Sequence, residues 1–271
     1  MIKPLLFALG IYATSQFAQS QTDGFAINKL STQIVEKNSP SFDESLLSQR
    51  FFYLAKGGQC YVFVSEDGNY VLKFFRASRL NMLNLLPTQT LEKKREKARS
   101  DLIKAIDSYQ LAYAELKEET GLVGTHFGES LLEAKTIQIV DKLGIEHTID
   151  TKKYPFVLQI KAMSVTEKVE ELMARGDRKK AAKALSQLFD LIEKTAQKGI
   201  GDKDPNLVKN FGFVGNEPIQ MDGGSFSSNS RCSVRRVAES KEDLRHWLSQ
   251  KYPELSKHLE EEYAAFIDKV L

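Results

Sequence analysis

The sequence predicts an α+β protein with two lobes, in which a small antiparallel β-sheet lobe with one long helix precedes a mainly helical lobe. Runs of aromatic and β-branched residues over 51–75 are separated by Gly and Asp-Gly, a pattern typical of antiparallel strands joined by tight turns. Apolar residues then recur at helical spacing over 90–119, and again in several segments after residue 163. We therefore place the β-rich N-lobe at 50–162 and the helical C-lobe at 163–271.

Five strands are expected in the N-lobe. Three of them form a meander at 51–54, 60–64 and 70–75, where aromatic and β-branched residues are concentrated. Two more are predicted at 135–143 and 155–162, which are again rich in Ile and Val. The long helix comes between the third and the fourth of these strands.

The C-lobe is expected to begin with two helices, at 165–174 and 177–198, the second of which has a continuous apolar stripe. Asp177 is suited to cap the start of the second helix, and Gly199 is suited to end it. A hairpin is predicted over 211–221, and two further helices follow it.

Size and composition indicate an ordinary globular protein. The chain has 271 residues, of which 42% are hydrophobic and 27% are charged, so it can bury a sizeable core. Its formal net charge of +2 gives no electrostatic reason to expect a nucleic acid as partner. Cys60 and Cys232 are too few for a disulfide scaffold or a cysteine-rich metal site, although they could form one bridge in an oxidising compartment.

The first 20 residues have the layout of a secretory signal peptide. The apolar stretch Leu5–Ala13 is too short to span a bilayer, so no stable transmembrane segment is expected. Ala18-Gln19-Ser20 places small residues where signal peptidase cleaves, so Gln21 would start the mature chain and 21–49 would form an N-terminal tether. The protein is therefore expected to be exported or secreted; the alternative is a short buried or interfacial helix at the start of a cytoplasmic protein.

Four features of the chain follow one another in a fixed order. A glycine pair, Gly57-Gly58, joins the first two predicted strands, and Lys73 lies on the third. A polar loop that contains Asp and Asn occupies 199–212, and Asp222–Gly224 reads Asp-Gly-Gly after the hairpin. In this order and in these contexts they resemble the protein-kinase-like superfamily, which includes the aminoglycoside phosphotransferases and other small-molecule kinases.

The resemblance extends over about residues 51–226 and implies a two-lobed protein-kinase-like fold. A member of that superfamily binds Mg²⁺ and ATP between its lobes and transfers a phosphoryl group to a hydroxyl acceptor, here an unidentified protein or small molecule. Transfer of the nucleotide moiety would use the same pocket. The amides of Gly57 and Gly58 could approach the phosphates closely because glycine has no Cβ. An ordinary turn is the alternative for these two glycines.

Lys73 is implied to bind the α- and β-phosphates of ATP. The alternative is a lysine on an edge strand whose ammonium group extends into water. The glutamate that pairs with this lysine is ambiguous: Glu115 is preferred, while Glu92 and Glu96 lie at sequence distances closer to those of the family. Each of the three could equally be a solvated residue on the surface of the long helix.

The polar loop supplies the candidate catalytic groups. Phosphoryl transfer needs a carboxylate to orient the attacking hydroxyl, and an amide plus a second carboxylate to hold Mg²⁺. The resemblance assigns the metal to Asn210 and Asp222. It assigns the catalytic carboxylate to Asp204, with Asp202 as the alternative.

The loop departs from the kinase pattern at one position. The kinase base lies five residues before the asparagine, and that place is taken by Pro205. Asp204 is one residue too early and Asp202 three, while Asn206 becomes the metal ligand if the loop is rebuilt. A catalytically inactive kinase-fold interaction protein, secreted and pseudokinase-like, is therefore the alternative to an active phosphotransferase.

Overall fold

The structure is a computed structural model that describes residues 14–33, 42–85, 88–128, 132–228 and 234–270. The chain divides into two compact units. The first contains 1–103 and 124–158, and the second contains 104–123 and 159–271. Within the described residues, no helix combines the length and the apolar character that crossing a membrane requires. Cys232, and with it any bridge to the buried Cys60, lies outside the described residues.

One seven-stranded sheet, most of which belongs to the first unit, has the strand order β4-β7-β3-β2-β1-β5-β6. Its strands are β1 (Arg50–Lys56), β2 (Cys60–Ser65), β3 (Tyr70–Phe75), β4 (Leu122–His126), β5 (Thr136–Val140), β6 (Glu146–Asp150) and β7 (Phe156–Ile160). The predicted meander β1-β2-β3 is antiparallel, as expected, whereas β1 and β5 pair in parallel. The α+β class and the antiparallel-rich sheet are thus confirmed.

Two strands of this sheet were not expected from the sequence. β4 has only five residues and follows the short helix α4 (Lys117–Thr120) after a single left-handed residue, Gly121, so its sequence resembles a loop. β6 pairs with β5 through a tight turn at 141–145 and buries only Ile149, because it is the edge strand and its other residues are polar or charged. Alternation of apolar and polar residues is too weak in so short an edge strand to be recognised.

The segment before β1 packs on the sheet of the first unit. The backbone N–H of Ser31 donates to the carbonyl of Phe75, the last residue of β3, at 2.8 Å. Phe25 is buried, and its ring lies 5.1 Å from that of Tyr61 and 5.4 Å from that of Phe63. Asp23 accepts hydrogen bonds from Tyr53 and Lys142. The helical elements of this segment are α1 (residues 14–22) and two 3₁₀ turns, Ile27–Lys29 and Glu44–Leu47.

The remaining helices of the structure include most of those expected from the sequence. They are α2 (Ser78–Asn84), a 3₁₀ turn (Gln89–Leu91), α3 (Glu92–Glu115), α4 (Lys117–Thr120), α5 (Val165–Ala174), α6 (Arg178–Gln197), α7 (Val234–Lys251) and α8 (Pro253–Val270). α5 has the predicted bounds, and its start is stabilised by a capping box between Ser164 and Glu167. Asp177 is the N-cap residue of α6, as predicted, but its side chain makes no capping hydrogen bond and pairs with Lys180 at 2.9 Å instead.

The core of the second unit is formed by the apolar faces of four helices and of a small sheet. Its buried side chains are aliphatic or aromatic and include Leu185, Leu188, Phe189, Phe211, Leu244 and Leu259. Short strands complete the unit: β8 (Met163–Ser164), β9 (Ile200–Asp202), β10 (Phe211–Val214), β11 (Glu217–Gln220) and β12 (Phe226–Ser228). β10 and β11 form the predicted hairpin, and β9 pairs with β12.

Candidate functional site

Asp202 lies at the end of β9, where pairing with β12 places it opposite Phe226. The residue is only 7% exposed, and hydrogen-bond donors from the protein surround its carboxyl group. The hydroxyl of Ser225 donates to Oδ1 at 2.5 Å, the side-chain amide of Gln220 donates to Oδ2, and the backbone N–H of Asp204 donates to Oδ1 at 2.9 Å. The Asp202 side chain is therefore held in one orientation by three different segments of the second unit.

Burial raises the pKa of Asp202 above its usual value of 3.8. The hydrogen bonds from Ser225, Asp204 and Gln220 act in the opposite direction, while the negative charge of Asp222 raises the pKa further. The net direction is upward, so this carboxyl group takes up a proton more readily than an exposed aspartate. Acid and base groups of enzymes are often found in such environments, where burial and a neighbouring like charge shift the pKa of the group.

Asp222 follows β11 and is half-buried. Its Oδ1 accepts a hydrogen bond from the backbone N–H of Gly224 at 3.0 Å and one from the Tyr109 hydroxyl at 3.2 Å. Tyr109 comes from the part of α3 that belongs to the second unit. The side chain of Asp222 is thus oriented by its own turn and by a helix.

The loop between β9 and β10 arranges the other predicted residues differently. The Asp204 side chain is 63% exposed, and its Oδ1 lies 3.9 Å from Nη1 of Arg236. The Asn210 side chain donates from Nδ2 to the carbonyl of Asp204 at 2.8 Å, which closes the loop on itself. Asn206 uses its Oδ1 to accept the backbone N–H groups of residues 208 and 209. Asp204 and Asn210 therefore contact each other through the Asp204 backbone, and Asn206 acts as a cap within the loop.

A metal ion with oxygen ligands fits part of this donor set. Mg²⁺ is usually held by one or two carboxylates together with waters and phosphate oxygens. Oδ2 of Asp222, Oδ1 of Asn210 and the carboxylate of Asp204 are not used in the hydrogen bonds above, whereas Oδ1 of Asn206 is already used twice. Among the described residues, no group of three or more His, Cys, Asp and Glu could hold a metal by itself. A metal bound by these oxygens would need further ligands, such as waters or phosphate oxygens.

The predicted phosphate-binding residues lie in the first unit. Lys73 is 7% exposed and sits on β3, an interior strand between β7 and β2, so the edge-strand alternative is wrong. Gly57 and Gly58 form the turn between β1 and β2. Arg76, just beyond β3, donates from Nη1 to the carbonyl of Gly57 at 2.5 Å and to that of Gly58 at 3.1 Å, and its guanidinium lies 5.2 Å from the centre of the Tyr61 ring. The glycine turn is therefore held in place from β3.

The three candidate glutamates all lie on α3 and are exposed. Glu92 pairs with Arg95 within one helical turn. Glu115 ends the helix, in the second unit, where its backbone carbonyl accepts a hydrogen bond from Lys198 at 2.8 Å. Their exposure agrees with the alternative that all three are solvated residues on the helix surface. The pairing of Lys73 with Glu115 remains a prediction.

Three residues that orient the carboxylates were not identified from the sequence. Ser225 and Gln220 donate to Asp202, and Tyr109 donates to Asp222. Tyr109 was recognisable only as one member of the apolar stripe of α3. The contact between Ser225 and Asp202 joins residues 23 positions apart, so no local pattern predicts it. The position of Ser225 directly after Asp-Gly-Gly was the one sequence feature that could have drawn attention to it.

No protein-family model matches this chain, and no curated protein does so either. A solved structure described as the complex of Rv3197 with erythromycin from Mycobacterium tuberculosis is similar over 80% of this chain, with 14% sequence identity and a TM-score of 0.34. The chain spans 56% of the length of that protein. A structural similarity this low indicates nothing about function.

Proposed function

We propose that the chain is a kinase-like phosphotransferase that binds Mg²⁺ and ATP and transfers the γ-phosphoryl group to a hydroxyl acceptor. The observation that supports this most is the pair formed by Asp202 and Asp222. One carboxyl group is buried with a raised pKa, the other is half-buried with one oxygen unused, and the charge of the second acts on the first. Contrasting environments of two neighbouring carboxylates are a pattern by which acid-base groups are recognised, and phosphoryl transfer uses one carboxylate for the acceptor and another for the metal.

Burial and the raised pKa favour Asp202 over Asp204 as the group that orients the acceptor. In the transfer, the acceptor oxygen forms a bond to the γ-phosphorus, the bond from that phosphorus to the bridging oxygen breaks, and ADP leaves. The proton of the acceptor hydroxyl goes to the Asp202 carboxylate. Bound Mg²⁺ would supply positive charge that balances the phosphate oxygens.

The remaining roles follow from the donor atoms. Asp222 and Asn210 are proposed to hold the metal through Oδ2 and Oδ1, respectively. Lys73 would bind phosphate oxygens, and the turn at Gly57 and Gly58 would approach them with its backbone. Lys73 is buried on an interior strand, and this is the setting that the resemblance to kinases implies for the phosphate-binding lysine.

The direct test is binding of a non-hydrolysable ATP analogue to the full chain by calorimetry, with and without Mg²⁺. Asp222→Ala and Lys73→Met are each expected to weaken metal-dependent binding at least tenfold. Asp190→Ala is the matched control, since Asp190 is an exposed aspartate on α6 and should bind like the wild type. Equal binding by wild type and Asp222→Ala would reject the assignment of the metal.

A second function is favoured by the loop itself. The Asn210 amide is engaged with the Asp204 carbonyl at 2.8 Å, and Pro205 occupies the usual base position, both of which suit a kinase fold that has become an interaction protein. A ligand that binds only the folded state must raise the melting temperature. A folded wild type whose melting temperature is unchanged by Mg²⁺ and ATP would therefore support this second function over the first.

A further inference from the structure

The second half of α3 contacts the Asp-Gly-Gly turn through two neighbouring side chains, Ser108 and Tyr109. The Ser108 hydroxyl donates to the carbonyl of Gly223 at 2.6 Å and accepts the backbone N–H of Phe226 at 2.6 Å. Ser108 is 3% exposed, so water does not compete for these bonds. One hydroxyl thus fixes both ends of the short segment that follows Asp222.

Tyr109 acts on the same turn from one residue further along the helix. Its hydroxyl donates to Oδ1 of Asp222 at 3.2 Å, the oxygen that also accepts the N–H of Gly224. Its ring covers Gly223 so closely that a Cβ at that position would lie 2.8 Å from a ring carbon. The Tyr109 ring is itself buried, so the side chains packed around it restrict its movement.

These contacts leave the two oxygens of Asp222 in different situations. Oδ1 accepts two hydrogen bonds, and Oδ2 has no hydrogen bond among the contacts described above. A carboxylate with one oxygen tied down cannot rotate freely, so the other oxygen points in one direction. A ligand group ordered in advance binds a metal without the further loss of side-chain entropy that a mobile group would incur.

We propose that Ser108 and Tyr109 are positioning residues that hold Asp222 so that Oδ2 is presented to Mg²⁺. This inference rests on the proposed function, because it needs Asp222 to bind the metal. It assigns to α3 a task that the sequence patterns did not suggest, namely to set the affinity for the metal through the orientation of one carboxylate.

Tyr109→Phe tests the inference because it keeps the ring and removes only the hydroxyl. The measurement is Mg²⁺ affinity by calorimetry on the full chain with a non-hydrolysable ATP analogue present. Loss of a residue that orients a metal ligand typically lowers metal affinity 10- to 100-fold, and we expect about tenfold here. Tyr113→Phe is the control: that hydroxyl, one turn along on the same helix, donates to the carbonyl of Val123 at 3.2 Å and makes no contact with Asp222.

The outcome of this binding experiment distinguishes failure of the positioning role from failure of the proposed function. If the wild type binds Mg²⁺ and Tyr109→Phe binds it equally well, the positioning role is overturned and the proposed function stands. If the wild type binds no Mg²⁺, both are overturned. Urea unfolding of the two Phe variants is expected to give similar midpoints, so a tenfold loss of affinity in Tyr109→Phe alone would not be explained by loss of structure.

Discussion

The negative charge of Asp222 acts on the carboxyl group of Asp202, which burial has already made harder to ionise. Asp202 ends β9, and Asp222 lies in the turn after β11; both belong to the second unit. The protonation of Asp202 therefore depends on whether the charge of Asp222 is neutralised. A cation bound at Asp222 would lower the pKa of Asp202 by removing that repulsion.

The first prediction concerns pH. If Asp202 must be ionised for transfer, the acidic limb of kcat/KM should lie above pH 3.8, the usual value for an aspartate, because the pKa in the folded chain is raised. For the same reason, the contribution of Asp202 to the free energy of unfolding is largest at low pH and decreases as the pH rises above 3.8. The pH-rate profile checks this; Asp204→Asn should leave the limb in place, and a limb that moves in that variant would assign the base to Asp204.

The second prediction concerns Gly223. An alanine there would place its Cβ 2.8 Å from the Tyr109 ring, which cannot move because it is buried, so the turn must shift. We expect Gly223→Ala to lower the free energy of unfolding by about 1–3 kcal/mol, the range for overpacking. Gly58→Ala is the control, since nothing lies within 4 Å of a Cβ at that position. Urea unfolding measures both, and equal stability of the two variants would argue against a rigid contact at Gly223.

The third prediction concerns the glycine turn of the first unit. Arg76→Lys loses the planar guanidinium that bonds the carbonyls of Gly57 and Gly58 and stacks on Tyr61. The turn should become less ordered, and the dissociation constant of an ATP analogue should rise about fivefold, equivalent to about 1 kcal/mol. Arg79→Lys, at an exposed position three residues later, should bind as the wild type does. Unchanged affinity in Arg76→Lys would separate this turn from the phosphates.

The fourth prediction concerns Phe25. Its buried ring packs against Tyr61 and Phe63, and Phe25→Ala should lower the free energy of unfolding by about 3–5 kcal/mol. Leu143→Ala, at a side chain that is 55% exposed, is the control and should change it by less than about 0.5 kcal/mol. Chemical unfolding monitored by fluorescence distinguishes the two. A loss below 1 kcal/mol for Phe25→Ala would mean that the segment before β1 contributes little to the fold.

The elements that could be predicted are those with a strong local pattern. α5 and α6 were recognised because their apolar residues recur at helical spacing, and the hairpin of β10 and β11 because Gly215-Asn216 joins two strand-like runs. β6 was missed because an edge strand can carry polar residues on both faces.

The orientation of the candidate site could not be predicted, for a different reason. The hydrogen bond from Phe226 to Ser108 spans 118 residues, and no local pattern records such a contact. The preference for Asp204 came from counting positions along the loop. Spacing gives no information on burial, which differs between a 7% exposed Asp202 and a 63% exposed Asp204 side chain.

The packing of Phe25 also bears on how the protein can be produced. A recombinant chain that starts at Arg50, where the first strand of the sheet begins, would lack Phe25 and Leu30, both of which are buried. It would expose the aromatic rings of Tyr61 and Phe63 to water, and exposed apolar patches of this kind promote aggregation. A chain that starts at Gln21, the predicted first residue after signal cleavage, would keep these contacts.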